Sequence, residues 1–384
     1  MFTLRYNPLM SGRYLISAWR KTLTPQYRRP LYIHSTNRSF SSSTDKFFLE
    51  QIPIVGKLFT EYYDRKREQG IKEKQEQRQQ ILNDKFHKIL DIKEWYNDHR
   101  RVKNMNLALI CLDDGADVNY RSESGITALT ELSYWGGCIP AIKQLIDRGA
   151  LIDLPGLKNE TALIKASQCG YPKVVELLLD YGANINYTNE YGGALTATND
   201  LPVIELLIKY GINIEQKGSF GETRLYSACY EDPQSGVLKL LLKSGADVNS
   251  RDNNGRSPLH AVSGYRSEYS HLNVKLLLES GADINARDNN DKTPLHNACK
   301  YGTSRSVKVL LESGADVNPK DNDGNIPLHI ACKYGNISLI KLLLEFGADV
   351  NSRDNNDKTP LVHSKDIYRK EIIKLFTQHG DFYE

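Results

Sequence analysis

The chain has 384 residues, with 50 Lys and Arg against 47 Asp and Glu, for a net charge of +3. A hydrophobic share of 40% supports a buried core, and no stretch approaches the roughly 18 uncharged apolar residues of a membrane-spanning helix, so no transmembrane span is expected. Six cysteines in so long a chain do not form a disulfide framework; free thiols in a reducing compartment are expected.

In chain order, residues 1–44 come first. They carry seven basic groups (Arg5, Arg13, Arg20, Lys21, Arg28, Arg29, Arg38) and no acid, leaving the rest of the chain at −4. An Arg- and Ser-rich, acid-free start is the composition of a mitochondrial transit peptide. Gly12, Leu15, Ile16 and Trp19 share one helical face, with Arg13, Ser17, Arg20 and Lys21 roughly opposite. The following "NRSFSSST" (37–44) is similar to the Arg-x-Phe-Ser pattern of matrix-processing sites, which makes Arg38, Phe40 and Ser41 the processing candidates. A basic disordered tail is the alternative. The localisation expected is mitochondrial, with a cytoplasmic one as the alternative.

Residues 45–80 hold two unlike pieces. "FFLEQIPIVGKLF" (47–59) is apolar, interrupted by Pro53 and Gly56, and either packs on the chain itself or docks on a partner or, peripherally, on a membrane surface. "DRKREQGIKEKQEQRQQ" (64–80) is polar on every side and reads as a solvated helix or linker. Its interleaved acids, like the mildly acidic body, do not favour nucleic acid. From residue 81 a stripe of Leu82, Phe86, Ile89 and Leu90 predicts a helical N-terminal cap or divergent repeat over 81–121.

Beyond it the chain repeats. "RDNNDKTPL" stands at 287–295 and again at 353–361. A Gly-led hexapeptide such as "GADVNY" (115–120), "GANINY" (182–187) or "GADINA" (281–286) recurs with glycine spacings of 34, 33, 29, 34, 36, 33, 33 and 33, the last copy being the worn "GDFYE" (380–384). In phase with it runs "TALT" (127–130), "TALI" (161–164), "GALT" (193–196), "TRLY" (223–226), "SPLH" (257–260), "TPLH" (293–296), "IPLH" (326–329) and "TPLV" (359–362). Two signatures in phase at a period near 33 resemble the ankyrin repeat over 122–384. The fold expected is an all-α, α-solenoid array of helix–turn–helix plus β-turn units, at 122–155, 156–188, 189–217, 218–251, 252–287, 288–320, 321–353 and 354–384.

The residues support that fold. Thr293 caps a helix that Pro294 begins, Leu295, Ala298 and Cys299 face inward, and Gly302 is expected to end it with positive φ. Val307, Leu310 and Leu311 turn a second helix toward its neighbours, and Gly314 closes it. The unit at 189–217 has lost four residues and that at 252–287 has gained three, which predicts weak or bent points there.

His and Cys three apart in "HNAC" (296–299) and "HIAC" (329–332) are an attainable metal-ligand spacing, but the pair decays in other units. The resemblance gives that His another role, bonding backbone between repeats. The Asp/Asn-rich "DNNDK" and "DNDGN" lack the continuation of a calcium loop and read as turns. No catalytic motif is found; no enzyme activity, metal or cofactor is expected.

The resemblance implies a non-enzymatic scaffold or adaptor that binds a protein partner through β-turn tips and first helices. The tip candidates are Asn253, Asn254, Arg256, Asn289, Asn290, Lys292, Asn322, Asn325, Asn355 and Lys358; the first-helix candidates are Lys300, Tyr301, Lys333 and Tyr334. A cytosolic adaptor that recruits substrates to a signalling or degradation machine is the alternative, and an enzyme fused to the repeats the third reading.

Overall fold

The computed structural model describes residues 53–90, 107–136 and 139–379. The segment 1–44 with its processing motif, the start of the apolar stretch 47–59 and the final motif copy at 380–384 lie outside the described residues.

A long helix, Pro53–Leu90, comes first. The interruptions expected at Pro53 and Gly56 do not break it. Proline suits a first helical position, where no N–H is needed, and one interior glycine costs a helix only about 1 kcal/mol. Contacts divide the chain within this helix, into Met1–Gln75 and Glu76–Glu384. In the first unit, residues 60–75 are almost wholly exposed and carry i,i+4 pairs such as Arg65–Glu61 at 3.9 Å and Gln69–Glu73 at 3.3 Å.

In the second unit, residues 76–90 bury Phe86 and Asn83 against the start of the array. Two polar side chains make this joint. Asn83 Oδ1 accepts the Asp117 N–H at 2.8 Å, and Gln79 Nε2 donates to the Gly115 carbonyl at 2.6 Å. The same pair of bonds recurs at three joints of the array, each time from one asparagine. Asn119 accepts from the Leu151 N–H and donates to Gly149 O, Asn249 serves Asp283 and Gly281, and Asn318 serves Asp349 and Gly347. The helix thus presents to the segment 107–121 the hydrogen bonds that a preceding repeat would have offered.

The array is built of paired helices, the most regular being Pro294–Tyr301 with Ser304–Glu312 and Pro327–Tyr334 with Ile337–Glu345. Leu295, Ala298, Val307, Leu310 and Ile340 are fully buried, and small residues in the first helices let neighbouring units approach. The signature histidines bind unit to unit. His296 Nδ1 accepts the Thr293 N–H at 3.1 Å, which leaves the proton on Nε2, where it is donated to Asn325 O in the next unit at 3.0 Å. His260 bonds Ser257 and Lys292 O in the same way, and His329 bonds Ile326 and Lys358 O.

One pentapeptide, "ACKYG", ends two helices differently. Gly335 has φ +67 and carries the ring of Tyr368 over its bare Cα. Gly302, expected to be left-handed as well, is instead extended, with φ −81 and ψ −169. What requires glycine at 302 is proximity, since a Cβ there would lie 2.3 Å from the carbonyl oxygen of Ser263 in the preceding unit. Gly302→Ala should therefore lower stability by about 1–3 kcal/mol through forced backbone shifts, read as a lower urea midpoint with unchanged slope.

The shortened unit keeps only Ala194–Ala197 of its first helix, led by a two-stranded hairpin pairing Thr188 with Gly193 and Asn189 with Gly192. Packing between first helices, continuous elsewhere, thins between this unit and the next. There Arg224, in the position that the three preceding units give to alanine and the four following ones to proline, lies fully buried. Its Nε donates to the Thr198 carbonyl at 2.8 Å, just past the end of the short helix, and its Nη2 meets Glu231 at 2.5 Å and Asn199 Oδ1 at 3.3 Å. Second helices also pack thinly at the next joint, between Val237–Lys243 and Ser270–Glu279. There buried Asn273 donates to the carbonyls of Cys229 and Glu231, at 3.3 and 3.1 Å. Polar side chains bridge the joints where apolar packing is thinnest.

Candidate partner-binding surface

In the last four units the β-turn tips are organised from within by one aspartate each, the first being Asp252, whose Oδ1 accepts the N–H groups of Asn254 and Arg256. Asp288 Oδ1 accepts the N–H groups of Asn290 and Lys292 at 2.8 and 3.0 Å, Asp321 those of Asp323 and Asn325, and Asp354 those of Asn356 and Lys358. Burial works against ionised Asp354. The N–H of Lys358, the His363 ring at 2.9 Å and the N–H of Asn356 outweigh it and hold the carboxyl down to about 2. The acids that could have suggested a cation loop are thus bonded to their own turns. Among the described residues, no group of three or more His, Cys, Asp or Glu is placed to hold a metal ion.

Neighbouring tips are joined as well. Asn289, Asn322 and Asn355 donate their backbone N–H to Asn254 O, Asn290 O and Asp323 O, and their side-chain amides to Asn253 O, Asn289 O and Asn322 O. Asn253 turns its Oδ1 onto Gly221 and hydrogen-bonds Phe220 O through its N–H. These four tip candidates lie at the surface, but their side chains form a structural ladder. Asn325 bonds Asp321 at 3.4 Å and supplies the carbonyl that His296 uses. Beside the tips, Lys217, Arg251, Arg287 and Lys320 each donate to the carbonyl of residue 251, 287, 320 or 353 in the next unit.

Other candidates remain open to a partner. Arg256 and Lys358 are exposed and Lys292 half-buried, and none has a carboxylate partner among the described residues; the side chains of Asn254 and Asn290 make no hydrogen bond there. On the first helices Tyr301 and Tyr334 are 50% and 46% exposed, with Lys333 beside them and Lys300 Nζ 4.4 Å from the Tyr301 ring centre. Their neighbours in the stack extend this aromatic row. Tyr226, Tyr230 and Tyr265 meet edge to face at 6.2 and 5.1 Å, and Tyr134 stands exposed in the repeat at 122–155.

The irregular units at 122–251, to which the sequence assigns more of the specificity without naming residues, expose their own tips. There Leu157, Tyr191 and Phe220 are exposed in three consecutive turns, Phe220 by 72%, and Lys158 Nζ stands 5.9 Å from the Tyr191 ring centre. The available signal was the presence of large apolar residues where the regular units carry Asn. Among the described residues, two shallow depressions of 280 and 360 Å³ lie on the outer helices 304–312 and 337–345 and beside Asp113 and Arg148.

Comparison with known proteins agrees with this geometry. An ankyrin repeat protein of Acanthamoeba polyphaga mimivirus is 28% identical over 167 residues, 39% of this chain and 25% of its own length. SH3 and multiple ankyrin repeat domains protein 2 of Homo sapiens is 33% identical over 180 residues, 44% of this chain and 10% of its own. A second mimivirus ankyrin repeat protein is 32% identical over 127 residues, 30% of this chain and 71% of its own. The chain thus spans a quarter and a tenth of the length of the first two. The family model "Ankyrin repeats (3 copies)" matches residues 99–189, 194–288, 232–321, 265–354 and 310–383, so the chain belongs to the ankyrin repeat family.

Proposed function

We propose that the array is a non-enzymatic module that binds a partner protein across its β-turn tips and first helices. The observation that carries this reading is the set of exposed aromatic side chains on those elements, Tyr191, Phe220, Tyr301 and Tyr334. Rigid aromatics offer large contact area at low entropic cost, and interface hot spots are rich in them. The ladders beneath hold them on a rigid scaffold, so little ordering cost falls due on binding. The relatives support an interaction role, being ankyrin repeat proteins. The Arg-rich, acid-free segment 1–44 supports action inside mitochondria.

Photo-crosslinking in the full chain tests the surface. A benzophenone side chain placed at Phe220 or Tyr301 should yield partner adducts in cells, and one at Lys341 on an outer helix should not. Adducts formed at 341 alone, or at Lys66 of the first unit alone, would count against the reading. For the compartment, mass spectrometry of the purified protein should find a mature N-terminus near Phe40–Ser41; an intact Met1 in a cytosolic pool would contradict import.

A further inference from the structure

The last four units distribute charge unequally between their faces. The outer helices carry both signs: Lys275 pairs with Glu279 at 3.8 Å, Lys308 with Glu312 at 3.6 Å and Arg305 with Glu268 at 3.6 Å, and Lys341, Arg369, Lys370 and Lys374, which have no carboxylate within 4.0 Å among the described residues, share their helices with Glu345, Asp366 and Glu371. On the opposite elements the tips carry Arg256, Lys292 and Lys358, and the first-helix ends carry Arg266, Lys300 and Lys333; none of the six has a carboxylate within 4.0 Å among the described residues. The helices Pro258–Ser263, Pro294–Tyr301 and Pro327–Tyr334 contain no Asp or Glu. The tip aspartates 288, 321 and 354 are buried under turn N–H groups, and Asp357 is paired with Arg353 at 2.8 Å, leaving exposed Asp291 and Asp323 as the tip acids against them.

Each first-helix cation stands next to an exposed tyrosine: Arg266 beside Tyr265, Lys300 beside Tyr301, Lys333 beside Tyr334. Duplication accounts for the two "KYG" copies. It does not account for "GYRS" (264–267), where the same pairing arises in reversed order within the unit of altered length.

The geometry points to an acidic polypeptide segment as the occupant of this face, an inference that rests on the protein-binding reading above. The first-helix cations Arg266, Lys300 and Lys333 recur once per unit in three consecutive units, and packed helices lie about 8–10 Å apart, so a ligand needs negative groups at that interval. Glutamates seven apart on a helix, about 10.5 Å, match it. A phosphate backbone, with charges every few ångströms, would find too few cations and would meet Asp291 and Asp323. The tyrosine rings supply apolar contact to the stems of the acidic side chains, and the cations supply complementarity and encounter rate.

Fluorescence anisotropy on the full chain tests this with fluorescein-labelled poly-L-glutamate, poly-L-lysine and polyuridylate at low and physiological salt. Poly-L-glutamate should bind, more weakly as salt rises, and poly-L-lysine should not. Lys300→Glu with Lys333→Glu should weaken binding about tenfold or more, whereas Lys308→Glu with Lys341→Glu on the outer helices should change it less than about twofold. All four positions are surface ones, and an unchanged circular dichroism melt will show that both variants fold. Tighter binding of polyuridylate, no binding of poly-L-glutamate, or equal loss in both variants would overturn the inference. Partner adducts at Phe220 or Tyr301 alongside any of these would leave the protein-binding reading standing and remove only the acidic partner.

Discussion

Arg224→Met will lower the stability of the array by about 3 kcal/mol and uncouple the units before residue 218 from those after it. The side chain is fully buried, and its loss leaves the Thr198 carbonyl without its charged donor and Glu231, only 21% exposed, without its partner. Solenoid stability is a sum of unit terms and nearest-neighbour interfaces, so weakening one interface lets the two sides open separately. Hydrogen exchange should show 194–217 opening ahead of 258–345, and urea unfolding should broaden into two steps. The more discriminating variant is Arg224→Pro. The four later units place proline at this position (Pro258, Pro294, Pro327, Pro360), and if their pattern were optimal here the change would stabilise. The structure instead gives Arg224 the space of a missing helical turn, since the first helix of the shortened unit ends at Ala197. Arg224→Pro should therefore destabilise as much as Arg224→Met; a higher melting temperature would refute the latch.

The array was legible in the sequence because its causes are local and repeated. Thr293, Pro294, Leu295 and Gly314 have the positions that capping, helix initiation and burial require, and the structure places them there. Features that depend on one neighbour were not legible. "TRLY" (223–226) reads as a worn signature, and only the missing turn in the preceding unit gives Arg224 its role. The "ACKYG" copies are identical, yet Gly302 is extended and Gly335 left-handed, because the units before and after them differ. The helical stripe at 81–90 marked Phe86, but polar Gln79 and Asn83 do as much to join the helix to the array.

The candidate surface divides on similar lines. Polarity at the tips suggested ligand-facing groups, and for Arg256, Asn254 and Lys358 the structure leaves the side chains free for that use. For Asn289, Asn322 and Asn355 the amides bond the neighbouring tip. The identity of these asparagines from unit to unit has a physical reason in the ladder, since each must meet the same carbonyl one unit back. Variation is tolerated at tips such as Leu157, Tyr191 and Phe220, where side chains are exposed. Recognition that distinguishes one partner from another is therefore better placed on residues outside the ladder.

The second large effect is expected at the histidines, and it has a pH signature. Burial pushes His260, His296 and His329 below their ordinary value of 6.5, and the backbone carbonyls that accept from their Nε2 only partly restore it. In the unfolded chain the same rings take up protons as the pH falls through about 6.5, while the native rings resist. Their contribution to stability is thus complete above about 6.5 and is lost progressively as the pH falls toward the native values. The carboxyl of Asp354, held to about 2 against an ordinary 3.8, acts in a separate and lower window, present above 3.8 and lost toward about 2. Between about pH 7.5 and 5.5 the slope of unfolding free energy against pH should therefore report mainly on the three rings. His296→Ala should cost about 3 kcal/mol at neutral pH, because it leaves the Thr293 N–H and the Asn325 carbonyl unpaired in a buried cavity. It should also reduce the slope by about a third, since two of the three rings remain. A variant that is destabilised but keeps the full slope would show that burial does not keep the His296 ring from protonating in the native state.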